Sequence, residues 1–104
     1  MSQFDVYKNP SSKTKKLFPY LVDIQNPILS ELATRIVIPL GRANAFNNEY
    51  MSKLTLELDF NNEKLLLLTP QIASVPSRLL ETPVGTVAHI RDDIISTIDF
   101  AITG

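Results

Sequence analysis

Apolar residues recur at every third or fourth position near the end of the chain, which is the spacing of one face of an α-helix. This stripe consists of Val87, Ile90, Ile94, Ile98 and either Ala101 or Ile102. The spacing predicts one amphipathic helix that runs from Ala88 to Gly104. Thr86 is placed to act as its N-cap, and Asp92 and Asp93 put negative charge near the positive end of the helix dipole.

Ile95 and Phe100 lie off this stripe, so the predicted helix is apolar on more than one face. Such a helix either contacts a partner subunit through its second apolar surface or packs within an ordinary core. Terminal residues usually fray unless they have something to contact. We therefore expect the apolar final turn to be a contact surface.

The clearest strand pattern lies in the middle of the chain. Apolar side chains from Leu54 to Phe60 alternate with polar ones, which predicts a half-buried strand. Asn61 and Asn62 form a turn that tolerates positive φ, and Leu65–Leu68 is predicted to return as a partner strand buried on both faces. This segment is therefore predicted to be a β-hairpin.

Shorter patterns predict the rest of a twisted antiparallel sheet. They comprise an edge-like strand at Phe4–Tyr7, a strand at Leu17–Gln25, a helical turn or loop at Ile28–Ala33, a β-branched strand at Arg35–Leu40, a loop at Gly41–Tyr50 and extended segments from Thr69 to Pro83. Pro19 removes a backbone donor from the second strand, so that strand is expected at a sheet edge or in a bulge. The fold class is mainly β (α+β), with one C-terminal helix.

Length and composition limit the function classes. A chain of 104 residues is expected to form one domain over 1–104. The longest strictly apolar run, Leu65–Leu68, is far too short to span a bilayer, and the first residues lack the pattern of a secretory signal, so the cytoplasm is the expected compartment. The absence of cysteine excludes a disulfide framework and a thiolate zinc site.

Charge gives one further indication. The net charge of −1 argues against a protein that coats nucleic acid by neutralising phosphates. Lysines nevertheless crowd an early segment, at Lys8, Lys13, Lys15 and Lys16. This cluster is either a contact for an acidic partner or phosphate, or a solvated loop.

Candidate catalytic residues are few. His89 is the only histidine, and near a helix start it is more often a packing or capping residue than a general base. Asp92 and Asp93 are adjacent and so point about 100° apart, which is wrong for a shared-proton pair. Three glycines are too few for a nucleotide-binding fingerprint, and no metal-ligand cluster is evident. The sequence favours binding over catalysis, with no cofactor and no metal.

Several strings resemble, in order and spacing, the CcdB family of toxins from bacterial type II toxin–antitoxin modules. They are Phe4-Asp5-Val6-Tyr7, Val22-Asp23-Ile24-Gln25, Arg35-Ile36-Val37-Ile38-Pro39-Leu40, Ile72-Ala73-Ser74-Val75-Pro76 and Asp93-Ile94. The resemblance covers nearly the whole chain. It is carried chiefly by the strand Arg35–Leu40 together with Ala73–Pro76 and the matching length to the C-terminus.

The resemblance implies a small SH3-like barrel of antiparallel strands with one C-terminal helix, a fold shared with RNA-cleaving toxins related to Kid and MazF. It implies a homodimer, active in plasmid maintenance, that binds the DNA gyrase A subunit and traps the cleaved-DNA complex without catalysis or direct nucleic-acid binding. It also implies an acidic antitoxin whose disordered C-terminal segment folds along the toxin. The lysine cluster is the candidate contact for that segment.

In the family, gyrase binding falls on the final helix turn and on two apolar residues after the second strand. Carried over by position, these residues are Ile28, Leu29, Asp99, Ile102, Thr103 and Gly104. The family pattern has an amide at the position of Asp99 and ends in a Trp-Gly-Ile tail. This chain ends Ile102-Thr103-Gly104, so it lacks the stacking of a tryptophan on an arginine, which contributes about 0.5–2 kcal/mol.

Two other functions remain open. A ribonuclease toxin on the same barrel would need an acid, a base and phosphate-stabilising groups in one cleft. Its candidate residues are Arg35, Arg78, His89 and Arg91, whose spacing indicates no cluster. A non-toxic interaction module is compatible with the altered tail.

Overall fold

A computed structural model describes residues 3–26, 28, 32–45 and 55–103. Within them, one antiparallel sheet and one long helix, α1 (Arg91–Thr103), make up the fold. The strands are β1 (Asp5–Lys8), β2 (Tyr20–Asp23), β3 (Thr34–Arg42), β4 (Thr55–Phe60), β5 (Glu63–Leu68), β6 (Ala73–Pro76) and β7 (Gly85–Thr86). The sheet curls into a half-barrel, which confirms the predicted fold class.

Strand β3 organises the sheet, whose order is β4-β5-β3-β2-β1-β7. One side of β3 pairs with β2, and its other side pairs first with β6, up to Val37, and then with β5, from Leu40. Pro39 lies between those two pairings and faces Leu21 of β2. A proline has no amide proton to donate, and β3 carries it at the point where one of its sides has no partner among the described strands.

The predicted hairpin is confirmed as β4 and β5, which pair from Thr55↔Leu68 to Phe60↔Glu63. Asn61 and Asn62 adopt φ values of 53° and 61°, the left-handed geometry that asparagine tolerates and that matches strand twist in a two-residue turn. The four leucines of β5 are all buried, as predicted. Leu54 lies outside the described residues.

The sheet separates two apolar clusters. The larger one lies beneath α1, where the fully buried Ile94 packs with residues such as Val22, Ile38 and Leu65. Side chains alternate between faces along each strand. The opposite face therefore carries the second cluster, formed by Tyr7, Leu21, Val37 and Leu80 with Val75 against it.

Two details of the strand prediction are wrong. Strand β2 begins at Tyr20, directly after Pro19, and lies between β1 and β3 instead of at an edge. Pro19 lies just outside the strand, where its carbonyl accepts a hydrogen bond from the Asn9 amide at 3.0 Å. Strand β1 is also not an edge strand, since it pairs with β2 and with β7.

The remaining segments differ from the prediction in their limits. The first part of the predicted loop is not a loop, because Gly41 and Arg42 belong to β3 and Ala43–Ala45 forms a short 3₁₀ turn. The later part of that loop lies outside the described residues. Ile28 lies in a 3₁₀ turn. The helix starts with a 3₁₀ turn over Ala88–Ile90 before α1 begins. None of the described helices is long and apolar enough to cross a membrane.

Candidate protein-binding surfaces

The start of the terminal helix is held by a local side-chain contact. The Ala88 amide donates a hydrogen bond to the Thr86 hydroxyl oxygen at 3.1 Å, but the N-cap position of the first turn is Val87, so the prediction placed the cap one residue too early. Asp92 and Asp93 occupy the first turn of α1, where carboxylates are stabilised by the helix dipole. The Thr97 hydroxyl donates to the Asp93 carbonyl at 2.9 Å.

The far end of α1 leaves the core. Ile94 has no exposed surface, and Ile98, one turn later, is half-buried. In the next turn Phe100 is 42% exposed and Ile102 is 70% exposed, and Asp99 is exposed as well. A helix that only covered a core would keep its apolar stripe inside. The last described turn therefore presents apolar side chains to the surroundings.

The structure describes some of the remaining predicted gyrase-contact residues and not others. Ile28 is 85% exposed, and its amide donates to the Asn26 side-chain oxygen at 2.9 Å. Among the described residues, Ile28 and Ile102 are the two most exposed large apolar side chains. Leu29 and Gly104 lie outside the described residues, and of Thr103 the structure describes the helical backbone.

The lysine cluster lies at the surface on β1 and on the loop after it. All of its members are exposed, but they do not share one position. Lys8 and Lys15 line a cleft of about 450 Å³ together with Tyr20, Leu79 and Glu81. Lys13 and Lys16 are not among the residues that line it. Sequence reasoning had no means to separate these two pairs, because the loop that carries them determines which side chains reach the cleft.

A buried ion pair between Asp23 and Arg35 was not predicted from the sequence. Nε and Nη2 of Arg35 donate to the same carboxylate oxygen of Asp23, at 2.9 and 2.6 Å, and neither side chain is exposed. The other Asp23 oxygen accepts a hydrogen bond from the Gln25 amide at 2.9 Å. A sequence pattern could have indicated the pair, since both charged residues lie within otherwise apolar strand segments. A buried charge is tolerated only when it is paired in this way.

Tyr7 lies on the same sheet face as this pair and is fully buried. Burial, followed by the charges of Asp5 and Asp23, raises the pKa of its hydroxyl, and the positive charge of Arg35 opposes that rise. Within the described residues, neither the Tyr7 hydroxyl nor Nη1 of Arg35 has a hydrogen-bond partner. The group is thus a polar cluster inside the second core.

The candidate ribonuclease residues do not form a catalytic cleft around Arg35. Arg35 is fully buried and committed to Asp23, so it is not available to a phosphate. Arg78, His89 and Arg91 are exposed, and Arg91 lies 3.9 Å from the Asp92 carboxylate. The part of the chain that the structure describes contains no group of three or more histidine or acidic side chains placed to hold a metal ion.

A comparison with protein families agrees with this architecture. The family model described as CcdB protein matches residues 3–104, which is essentially the whole chain.

Proposed function

Because this chain belongs to the CcdB family, we propose that it is the toxin of a type II toxin–antitoxin module. In this proposal it binds the A subunit of DNA gyrase in the cytoplasm and traps the complex of gyrase with cleaved DNA. It acts by protein–protein binding and not as an enzyme. A cognate antitoxin with a disordered acidic segment neutralises it.

The observation that carries this proposal is the exposed end of α1. Large aliphatic side chains cost free energy when they face water, at about 25 cal/mol per Å² of apolar surface. Ile102 and Ile28 remain 70% and 85% exposed although the molecule has a well-formed core to receive them. Exposed apolar residues mark interaction sites when they form a patch, and Phe100 and Ile102 lie together in the last turn of α1. Ile102 and Ile28 belong to the set carried over from the family's gyrase contacts, along with Leu29, Asp99, Thr103 and Gly104.

We also propose that the toxin is a homodimer. Ile95 and Ile98 are half-buried against the core, and Phe100 is partly exposed beside them. An isologous contact would bury the same apolar surface on both copies at once. Gyrase is itself two-fold symmetric, so a symmetric toxin matches its axis.

The ribonuclease alternative loses support from the position of Arg35. A phosphate-stabilising cation must reach the substrate, and this guanidinium is enclosed and bound to Asp23. The non-toxic alternative depends on residues 102–104, which contain no tryptophan. Gyrase binding by aliphatic burial alone would be weaker than binding that also used cation–π stacking.

The decisive experiment measures DNA supercoiling by purified gyrase with added protein and scores linear, cleaved DNA. We expect linear DNA to accumulate with the unaltered chain and to disappear with Ile102→Asp. The matched control is Ile72→Asp, which alters an aliphatic side chain that is 41% exposed outside α1. If Ile102→Asp and the control poison gyrase equally, the helix end is not the binding surface. If the unaltered chain never yields linear DNA, the proposed function is wrong.

A further inference from the structure

Two glutamine side chains replace a backbone hydrogen bond where the chain leaves the sheet after β2. The register of β2 against β3 places Ile24 opposite Ile36, and the Ile24 amide donates to the Ile36 carbonyl at 3.0 Å. Such a pair in an antiparallel sheet normally exchanges both of its hydrogen bonds. Here the Ile36 amide donates to Oε1 of Gln25 at 3.1 Å, and the Ile24 carbonyl accepts from Nε2 of Gln3 at 3.1 Å. The backbone therefore diverges from β3 at Ile24, and the Gln25 side chain makes the bond that the backbone gives up.

Gln25 is held at both of its ends. It is buried, and its amide donates to one carboxylate oxygen of Asp23 at 2.9 Å. The other oxygen of that carboxylate is bound to the Arg35 guanidinium. With its backbone fixed by Asp23 and its side-chain oxygen fixed by Ile36, Gln25 sets the direction in which the chain leaves β2.

The segment that begins here carries an exposed apolar residue. Ile28 follows three residues later, is 85% exposed, and donates its amide to the Asn26 side-chain oxygen at 2.9 Å. Where the chain comes back to β3, Ser77 donates its hydroxyl to the Leu32 carbonyl at 3.2 Å and its amide to the Ala33 carbonyl at 2.8 Å. Ile28 is thus carried between two hydrogen-bonded anchors.

We propose that Gln25 is a positioning residue for gyrase binding, which holds the segment after β2 in the conformation that presents Ile28. The inference rests on the proposed function, because Ile28 is a gyrase contact only within it. Gln25 is buried and acts through Ile28 instead of contacting gyrase. A side chain that is ordered before the partner arrives saves the entropy cost of ordering it on binding. Apparent affinity falls in proportion to the fraction of molecules that hold the binding conformation.

Gln25→Met tests the inference, because it keeps the length of the side chain and removes the oxygen that accepts from Ile36. We expect half-maximal formation of linear DNA to need about fivefold more protein, which corresponds to about one fifth of the molecules in the binding conformation. Gln3→Met, which removes only the bond to the Ile24 carbonyl, should act in the same direction with a smaller effect.

The matched control is Leu66→Ala. Leu66 is fully buried and pairs with Gly41, at the other end of β3, so its truncation lowers stability without touching the segment after β2. Urea denaturation followed by circular dichroism confirms that each variant is folded at the temperature of the gyrase assay. Under those conditions Leu66→Ala should change the protein requirement by less than about twofold.

Double variants distinguish positioning from a general structural role. If Gln25 acts through Ile28, Gln25→Met should have little further effect on poisoning in an Ile28→Ala background and its full effect in an Ile102→Ala background. An equal effect in both backgrounds would overturn the inference. The Ile28 methyl groups give a second readout that needs no gyrase, since Gln25→Met should lower their NMR order parameters and Leu66→Ala should not. Unchanged order parameters in Gln25→Met would also overturn it.

The unaltered chain keeps the two proposals apart. If it produces linear DNA and Gln25→Met produces as much at the same concentrations, the positioning role of Gln25 is wrong and the proposed toxin activity stands. If the unaltered chain never produces linear DNA, the proposed function is wrong, and the inference that rests on it is overturned as well.

Discussion

Two chemically identical truncations on α1 separate the core part of the helix from its exposed end. Ile94→Ala and Ile102→Ala remove the same atoms from the same element. The first side chain has no exposed surface and lies in the larger apolar cluster, whereas the second is 70% exposed. Ile94→Ala should therefore destabilise the protein far more than Ile102→Ala does. Ile102→Ala should be the variant that weakens gyrase poisoning more.

The magnitudes follow from burial. A fully buried isoleucine truncated to alanine loses its transfer free energy and leaves a cavity, which together cost about 2–5 kcal/mol. Ile102 has only the remaining 30% of its surface covered. Full burial of such a side chain contributes about 1.5–3 kcal/mol, so truncation of Ile102 can remove less than about 1 kcal/mol of burial free energy. Alanine also has the higher helix propensity, which offsets part of this loss.

Urea denaturation followed by circular dichroism, at one fixed protein concentration, measures both changes. We expect Ile94→Ala to lower the free energy of unfolding by at least about 2 kcal/mol and Ile102→Ala to lower it by less than about 0.5 kcal/mol. In the supercoiling assay, Ile102→Ala should weaken gyrase poisoning. If Ile102→Ala destabilises the protein as much as Ile94→Ala, the final turn is interior and the reasoning about the helix end is refuted.

Three further predictions concern the sheet. Arg35→Met should lower the free energy of unfolding by about 3–5 kcal/mol because it leaves Asp23 buried without its partner. The double variant with Asp23→Leu should be more stable than Arg35→Met alone. Thermal unfolding of both variants tests this. Gly85→Ala should cost about 1–3 kcal/mol, since the new Cβ would lie 2.6 Å from Cε1 of Phe60, and the loss should shrink in a Phe60→Leu background if that clash is its cause. Burial raises the pKa of the Tyr7 hydroxyl, so the folded state keeps this proton at about pH 10, where the unfolded chain begins to lose it. The contribution of Tyr7 to the free energy of unfolding should therefore be complete below that pH and should fall as the pH rises further. An equal loss of stability at alkaline pH in Tyr7→Phe would contradict this.

The local elements that sequence predicts well are those whose signal is short in range. The hairpin of β4 and β5 follows from alternation and from a turn that needs positive φ, both of which lie within a few residues. The helix follows from its apolar stripe. The exposure of its last turn was expected because apolar residues continue into that turn, and Asp99 and Ile102 are exposed there.

Predictions failed where the partner of a residue is distant in the chain. Pro19 was expected to place its strand at an edge or in a bulge, yet a proline just outside β2 imposes no such limit. Arg35 was named only for the ribonuclease alternative, and the sequence did not reveal that Asp23, twelve positions earlier, binds its guanidinium inside the fold. Alternation alone does not reveal which strands become neighbours, because pairing depends on how the whole sheet curls.

The spacing of neighbouring side chains was enough to predict where the hairpin turns and which face of the terminal helix is apolar, because both properties are local. Only the tertiary structure decided that the apolar stripe of α1 divides into a buried part at Ile94 and an exposed part at Ile102. It also decided that Lys15 and Leu79 face one depression while Lys13 does not. The sheet brings segments from distant parts of the chain together, and only those contacts determine which side chains a core covers and which it leaves for a partner.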